Sequence, residues 1–323
     1  MTKVLDQASG NGWSLINGDS VEVVGGMPDA SADFCIYSPP FVSLYTFSNS
    51  NRDMSNVRDE KEFTEHFGHL TPNLLRVLKP GRLMAVHCMQ LVTTKSHHGY
   101  IGLYDFRGEL VRMMQAEGFI FHSEITIWKN PVTAMQRTKA LGLLHKQIKK
   151  DSTMSRQGTS DYLLIFRTPG TNPDPVSHTD DTFPVERWQR YASPVWATID
   201  GVDDEGFATF RDPRKGDEEH EASGISPTET LQYMSAREGD DERHISPLQL
   251  GVIRRAVRLW TNKGDVVLSP FAGIGSEGHV AIQEGRRFIG CELKRSYFRL
   301  AARNLQQAEP QAAGKNMSLF ANL

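Results

Sequence analysis

Two turns near opposite ends of the chain constrain its fold most. Ser38-Pro39-Pro40-Phe41 follows the strand-like run from Ala32 to Tyr37, and Ser269-Pro270-Phe271-Ala272-Gly273-Ile274-Gly275-Ser276 follows Asp265 to Leu268. A short apolar run closed by Gly or Pro reads as a buried strand. Such turns sit at the carboxyl edge of a parallel sheet, where α/β proteins bind ligands.

The rest of the chain agrees. Trp13 to Asn17 reads as a strand ending at Gly18-Asp19, and Glu60 to Leu78 as one helix with Phe63, Phe67, Leu70, Leu74, Leu75 and Leu78 on one face. Lys79-Pro80-Gly81 stops that helix before a strand from Arg82 to His87. Gly108 to Glu117 suits a helix; Phe119 to Trp128 and Asp161 to Arg167 suit strands. Thr168 to Asp181, rich in Pro, Thr and Asp, marks a boundary, and little periodicity follows as far as Glu242. Alternation returns with a helix from Pro247 to Trp260, a strand from Asp265 to Leu268, a helix from Glu277 to Glu284, a strand from Arg287 to Glu292 and a last helix from Arg295 to Gln307. This alternation predicts an α/β sheet with helices on both faces. The expected domains are 1–167 and 244–323 as two parts of one catalytic domain, with 168–243 inserted between them.

Composition excludes little. The chain of 323 residues is 39% hydrophobic and 23% charged, ordinary for a soluble domain. No stretch has the pattern of a signal peptide or a membrane span, so a cytoplasmic protein is expected. Cys35, Cys88 and Cys291 lack ligand spacing and read as buried reduced thiols, and the pair His97-His98 has no partners for a metal. The net charge of −3 hides segregation. Lys129, Arg137, Lys139, Lys146, Lys149, Lys150 and Arg156 face one acid, Asp151, across residues 129–156, whereas 200–242 is acidic. Only the basic block suits a phosphate backbone; a solvated helix face is the simpler alternative.

Gly273 and Gly275 let the chain turn tightly and let a ligand approach backbone amides. No Gly-Lys-Ser/Thr follows, which argues against a phosphate-cradling loop. The next strand ends at Glu292, about 20 residues after the glycines, where an acid accepts from ribose hydroxyls. Asp19 reads equally as a turn residue or a helix cap. Ser246 and Pro247 read as a helix start.

Together the Ser-Pro-Pro-Phe and Phe-Ala-Gly-Ile-Gly-Ser motifs resemble the signatures of DNA amino-methyltransferases. The catalytic motif here precedes the cofactor motif, so the order resembles the circularly permuted β class, over Trp13 to Arg167 and His244 to about Gln307. The resemblance implies a Rossmann-like sheet, S-adenosylmethionine as cofactor and double-stranded DNA as partner, with a homodimer common among relatives and no metal. It implies catalytic roles for Ser38, Pro39, Pro40 and Phe41. Ser38 and the Pro39 carbonyl would accept the hydrogens of an exocyclic amine, and Phe41 would stack on a flipped base. It implies cofactor contacts from Asp19, Ser246, Pro247, Ser269, Phe271, Ala272, Gly273, Gly275, Ser276 and Glu292. Glu124 to Trp128, with Lys129-Asn130, resembles the strand lining the base pocket. DNA contacts are expected from Lys139, Lys146, Lys149, Lys150 and Arg156. The sequence departs from the family pattern where Ser269 and Ser276 stand for the usual Asp and Thr. Ser in place of Asp at the head of the catalytic motif favours cytosine N4 slightly over adenine N6. A catalytically idle DNA- or cofactor-binding relative, and an enzyme of this fold acting on RNA or protein, are the alternatives.

Overall fold

The computed structural model describes residues 4–40, 60–93, 95–129, 141–196, 201–202, 208–209, 225, 229–232 and 247–309. Its strands are β1 (Asp6–Gly10), β2 (Trp13–Asn17), β3 (Ala32–Tyr37), β4 (Leu78–Met89), β5 (Leu91–Thr93), β6 (Gly102–Tyr104), β7 (Ile120–Ile127), β8 (Asp161–Arg167), β9 (Val195–Trp196), β10 (Gly201–Val202), β11 (Ala208–Thr209), β12 (Val266–Ser269) and β13 (Arg287–Glu292). The chain forms two compact units, 1–79 with 230–323, and 80–229. Among the described residues no helix is long and apolar enough to cross a membrane.

In the first unit β2, β13, β12 and β3 run parallel in that spatial order, with β1 antiparallel on the outer side of β2. Every residue of β3 and β12 is buried, as expected of strands covered on both faces. The turn Asn11-Gly12, with Gly12 at φ 82°, joins β1 to β2 as a two-residue hairpin. β1 escaped the sequence reading because its residues are polar and mostly exposed. Helices Ser276–Gln283 and Arg295–Ala308 pack on each other, and both contact β13. The helix expected over 60–78 is two helices, Glu60–Phe67 and Thr71–Val77. Pro72 explains the break: it lacks an N–H to continue a helix but fits the first turn of a new one. The helix expected from Pro247 begins instead at Leu250, with Gln249 at the N-cap position and no side-chain cap hydrogen bond, so Pro247 precedes its start. Ser246 lies outside the described residues.

In the second unit β4 and β7 both pair antiparallel with β8, and β9 adds parallel to β7. β9 and the helix Val185–Tyr191 come from the segment read as an insertion, so part of it extends this sheet. Trp196 is fully buried there and donates its indole N–H to the Tyr191 carbonyl at 3.2 Å. All three cysteines are buried and free.

Candidate active site

The carboxyl ends of the four parallel strands of the first unit converge on one edge. β2 delivers Gly18-Asp19, β13 delivers Glu292, β12 delivers the glycine turn, and β3 delivers Ser38-Pro39-Pro40. β3 and β12 are direct neighbours, with Cys35 opposite Leu268, although more than two hundred residues separate them in sequence. Phe41 lies outside the described residues. Pro39 is buried, and Ser38 and Pro40 are half-buried.

The glycine turn is held by side chains from both neighbouring elements. Glu292 spans it: Oε2 accepts from the Gly273 N–H and Oε1 from the Lys294 N–H, both at 2.8 Å. The Ala272 N–H donates to the Cys291 carbonyl at 2.7 Å, and the Asn304 side-chain amide donates to the Ile274 carbonyl at 2.8 Å. Gly273 at φ 53° and Gly275 at φ 87° adopt the left-handed conformation that favours glycine. A Cβ on Gly273 would meet open space, so no side chain crowds the backbone there. A Cβ on Gly275 would lie 3.2 Å from the Ala301 backbone.

Three residues of this arrangement went unread in the sequence. Gly278 completes a Gly-x-Gly-x-x-Gly spacing with Gly273 and Gly275; a Cβ on it would lie 2.5 Å from Phe288 and Leu305 side-chain atoms, so its absence lets the helix seat on the sheet. That spacing was a readable signal. Asn17, almost fully buried, donates from its amide to the Glu292 and Leu293 carbonyls at 2.7 and 2.9 Å, tying β2 to the end of β13. Asn304 acts similarly from the last helix. Neither asparagine has a local pattern that announces it.

Asp19 caps the helix Ser20–Gly25: its Oδ1 accepts from the Val21 and Glu22 N–H groups at 2.8 and 3.4 Å. Of its two readings from sequence alone, the cap is what the fold uses. Phe271 is half-buried and packs against Tyr37, ring centroids 5.7 Å apart, and against Phe67 at 6.3 Å. This aromatic contact couples the strand before Ser38 to the cofactor-type turn.

Several buried hydroxyls here have no hydrogen-bond partner among the described residues: Tyr37 Oη, Ser269 Oγ and Ser276 Oγ. Buried polar atoms are rarely left so unless a ligand or water completes them. With the open space beside Gly273, these hydroxyls fit a ligand rich in polar groups, as S-adenosylmethionine is. Glu277, in the first turn of the following helix, is buried, and burial pushes its carboxyl up to about 8, with the neighbouring negative charge of Glu292 adding to the rise. The Cys35 thiol is likewise raised, mainly by burial and further by Cys291 and Glu277.

The basic segment belongs to the second unit. Lys146, Lys149 and Lys150 are exposed on the short helix His145–Lys150, where i, i+3 and i+4 spacing puts them on one face. Arg156 is half-buried and folds back, donating to the Gln157 carbonyl at 3.1 Å. Lys139 lies outside the described residues.

Residues 32–303 match the N6/N4 DNA methylase family. The chain belongs to this family. The type II methyltransferase M.BglII of Bacillus subtilis is 22% identical over 289 residues, spanning 89% of this chain and 67% of that protein. The DNA adenine methyltransferase YhdJ of Escherichia coli is 38% identical over 72 residues, which span 22% of this chain and 24% of that protein. In fold, the chain is similar to the cytosine-N4-specific PvuII DNA methyltransferase, with a TM-score of 0.60 and 16% identity over 94% of this chain and 90% of that one. It is similar to the same degree, with a TM-score of 0.60 and 20% identity over 91% of this chain and 95% of that one, to a Thermus thermophilus protein named as a DNA modification methylase and solved with S-adenosyl-L-methionine.

Proposed function

We propose that this chain methylates an exocyclic amine of a flipped base in double-stranded DNA, using S-adenosylmethionine, with cytosine N4 slightly favoured over adenine N6. The observation that carries the reading is the placement of Ser38-Pro39-Pro40 on β3 directly beside β12, the strand that delivers the glycine turn. Adjacent strand ends of this kind bring an amine acceptor and a cofactor turn to one edge. That adjacency across the sequence also supports a circularly permuted, Rossmann-like layout with helices on both faces. We read 1–167 and 244–323 as its two halves, 168–243 as a recognition or subunit-contact region, and the protein as cytoplasmic.

In this reading Glu292, itself fixed by the Gly273 N–H, and the Ser276 hydroxyl hold S-adenosylmethionine, with Phe271, Ala272, Gly273, Gly275 and Ser269 shaping the turn. Asp19, Ser246 and Pro247 are assigned further cofactor contacts by the resemblance. The cofactor supplies an electrophilic methyl group when bound. An amine of a base is a poor nucleophile because its lone pair is delocalised into the ring. Ser38 and the Pro39 carbonyl accept its hydrogens and favour a pyramidal nitrogen, which is positioning and electrostatic catalysis. Pro40 stiffens the turn, and Phe41 stacks on the flipped base. Lys139, Lys146, Lys149, Lys150 and Arg156 meet the DNA backbone, Arg156 least freely because it is folded back. A homodimer would let one subunit hold the DNA that another methylates.

Labelled methyl transfer to plasmid DNA, followed by nucleoside analysis, tests the reaction; label in RNA or protein but not DNA would favour the second alternative, and none anywhere the idle one. Glu292→Ala should weaken S-adenosylmethionine binding in calorimetry by about 1.5–3 kcal/mol, the scale of a lost hydrogen bond to a charged group. Unchanged affinity would remove Glu292 from the site. Neutralising Lys146, Lys149 and Lys150 together should weaken binding to all duplex sequences alike and flatten its salt dependence by roughly three phosphate contacts. An unaltered salt slope would move the DNA surface to the segment around the exposed Trp188.

A further inference from the structure

The second unit holds a buried ion cluster apart from the turns described above. Met89 of β4 and Ile127 of β7 both stand opposite Asp161 of β8, so the ends of β4 and β7 and the start of β8 share one sheet edge. There Asp161 Oδ2 lies 3.0 Å from His87 Nε2 and 2.6 Å from Lys129 Nζ. Asp161 and His87 are buried, whereas a third of the Lys129 side chain is exposed. Burial alone would raise the Asp161 carboxyl, but the charges and bonds of Lys129 and His87 outweigh it and keep the group below its ordinary range. Asp161 Oδ1 is buried with no hydrogen-bond partner among the described residues.

A buried ion pair is weak support for stability, since an apolar replacement is often as good. What this one does achieve is to fix a lysine. The acid is inside and a third of the lysine side chain is exposed, so the pair ties a partly exposed lysine to a buried carboxylate. Lys129 is also the first of the seven bases in residues 129–156. Among the described members of that block, Lys146, Lys149 and Lys150 are exposed on their helix, and Lys129 is the one anchored by a buried carboxylate. A free lysine loses rotamer freedom when it is pinned by a ligand. Lys129 is pinned before any ligand arrives. Its ammonium has three donors, and one spent on Asp161 leaves others for an oxyanion.

We propose that Asp161, supported by His87, is a positioning residue that holds Lys129 to receive a backbone phosphate of the DNA. This rests on the DNA-methylating reading above. Asp161 does not itself meet the phosphate; it acts through Lys129.

Lys129→Met should weaken binding of a labelled duplex roughly fivefold to tenfold and lower the salt slope by about one phosphate contact. Asp161→Asn should weaken binding to a similar degree, and the double variant should be little worse than either single one. Lys129→Arg, which keeps the charge, should restore the salt slope. S-adenosylmethionine affinity, set by the first unit, should stay unchanged in every variant, a split that a general loss of folding would not produce. A folded Asp161→Asn protein with wild-type affinity and slope overturns the proposal. Where Asp161→Asn does not fold, Lys129→Met decides alone, and unchanged DNA binding overturns the proposal equally. If the unaltered protein binds cofactor but no duplex, it is the DNA-methylating reading that fails.

Discussion

Replacing Ser38 and Pro39 together with alanine is expected to cut methyl transfer by about 10²–10³-fold, the loss typical when a preorganised polar group at a reacting centre is removed. The strand fixes these residues. Tyr37 is fully buried at the end of β3, Pro39 is buried two residues on, and Ser38 between them remains half-buried. Ser38→Ala removes a side-chain acceptor for the amine hydrogens. Pro39→Ala releases the fixed φ of the turn, so the carbonyl at 39 is no longer held in one direction. Cofactor binding should persist, because the Gly273 amide and Glu292 hold each other without either residue. Turnover with labelled S-adenosylmethionine on plasmid DNA reads the loss, and calorimetry with the cofactor shows what is retained. Full turnover in a folded variant that binds cofactor would sink the assignment.

Much of the first unit was legible because its central strands obey a simple rule. Ala32–Tyr37 and Arg287–Glu292 were bounded correctly to the residue, since buried parallel strands are continuous apolar runs that stop at Gly, Pro or a charge. The edge was harder. β1 has no apolar side to show, and only its pairing with β2 and the Asn11-Gly12 turn defines it. β9, two residues long, exists because Trp196 is buried and its chain pairs with β7, neither of which composition announces.

The site divides in the same way. The glycines, Glu292 and the Ser-Pro-Pro turn stand out because their chemistry depends on residue type at fixed spacing. Asn17, Asn304 and Asp161 do not, because their work depends on partners far along the chain: Leu293, Ile274 and Lys129. Asp19 looked like a ligand contact by resemblance, yet locally it behaves as Asp does at any helix start. A ligand role would have to share the carboxylate with the cap.

Glu277→Gln is expected to make the protein more stable in mild alkali and to flatten its stability against pH. Sequence gives no hint of this: Glu277 sits in a helix first turn, where an acid is ordinarily exposed and favourable. Here it is buried beneath the glycine turn, and burial, with Glu292 nearby, raises its carboxyl from 4.5 to about 8. Below pH 4.5 the group is protonated in both folded and unfolded chains and has no effect on their balance. As pH rises above that, the unfolded chain releases the proton while the folded one keeps it, so the folded state is progressively disfavoured until about pH 8, where the loss levels off. A shift of this size corresponds to a loss on the order of 5 kcal/mol across the window. Glutamine keeps the shape and a neutral polar end but has no proton to lose. Thermal melts from about pH 5 to 9 should therefore show wild type falling and Glu277→Gln nearly level for this contribution, with the variant several degrees higher at about pH 8.5 and close to wild type at about pH 5. A variant that melts below wild type at the alkaline end would mean that Glu277 is ionised and held by partners in the folded protein, and the argument from burial would fall.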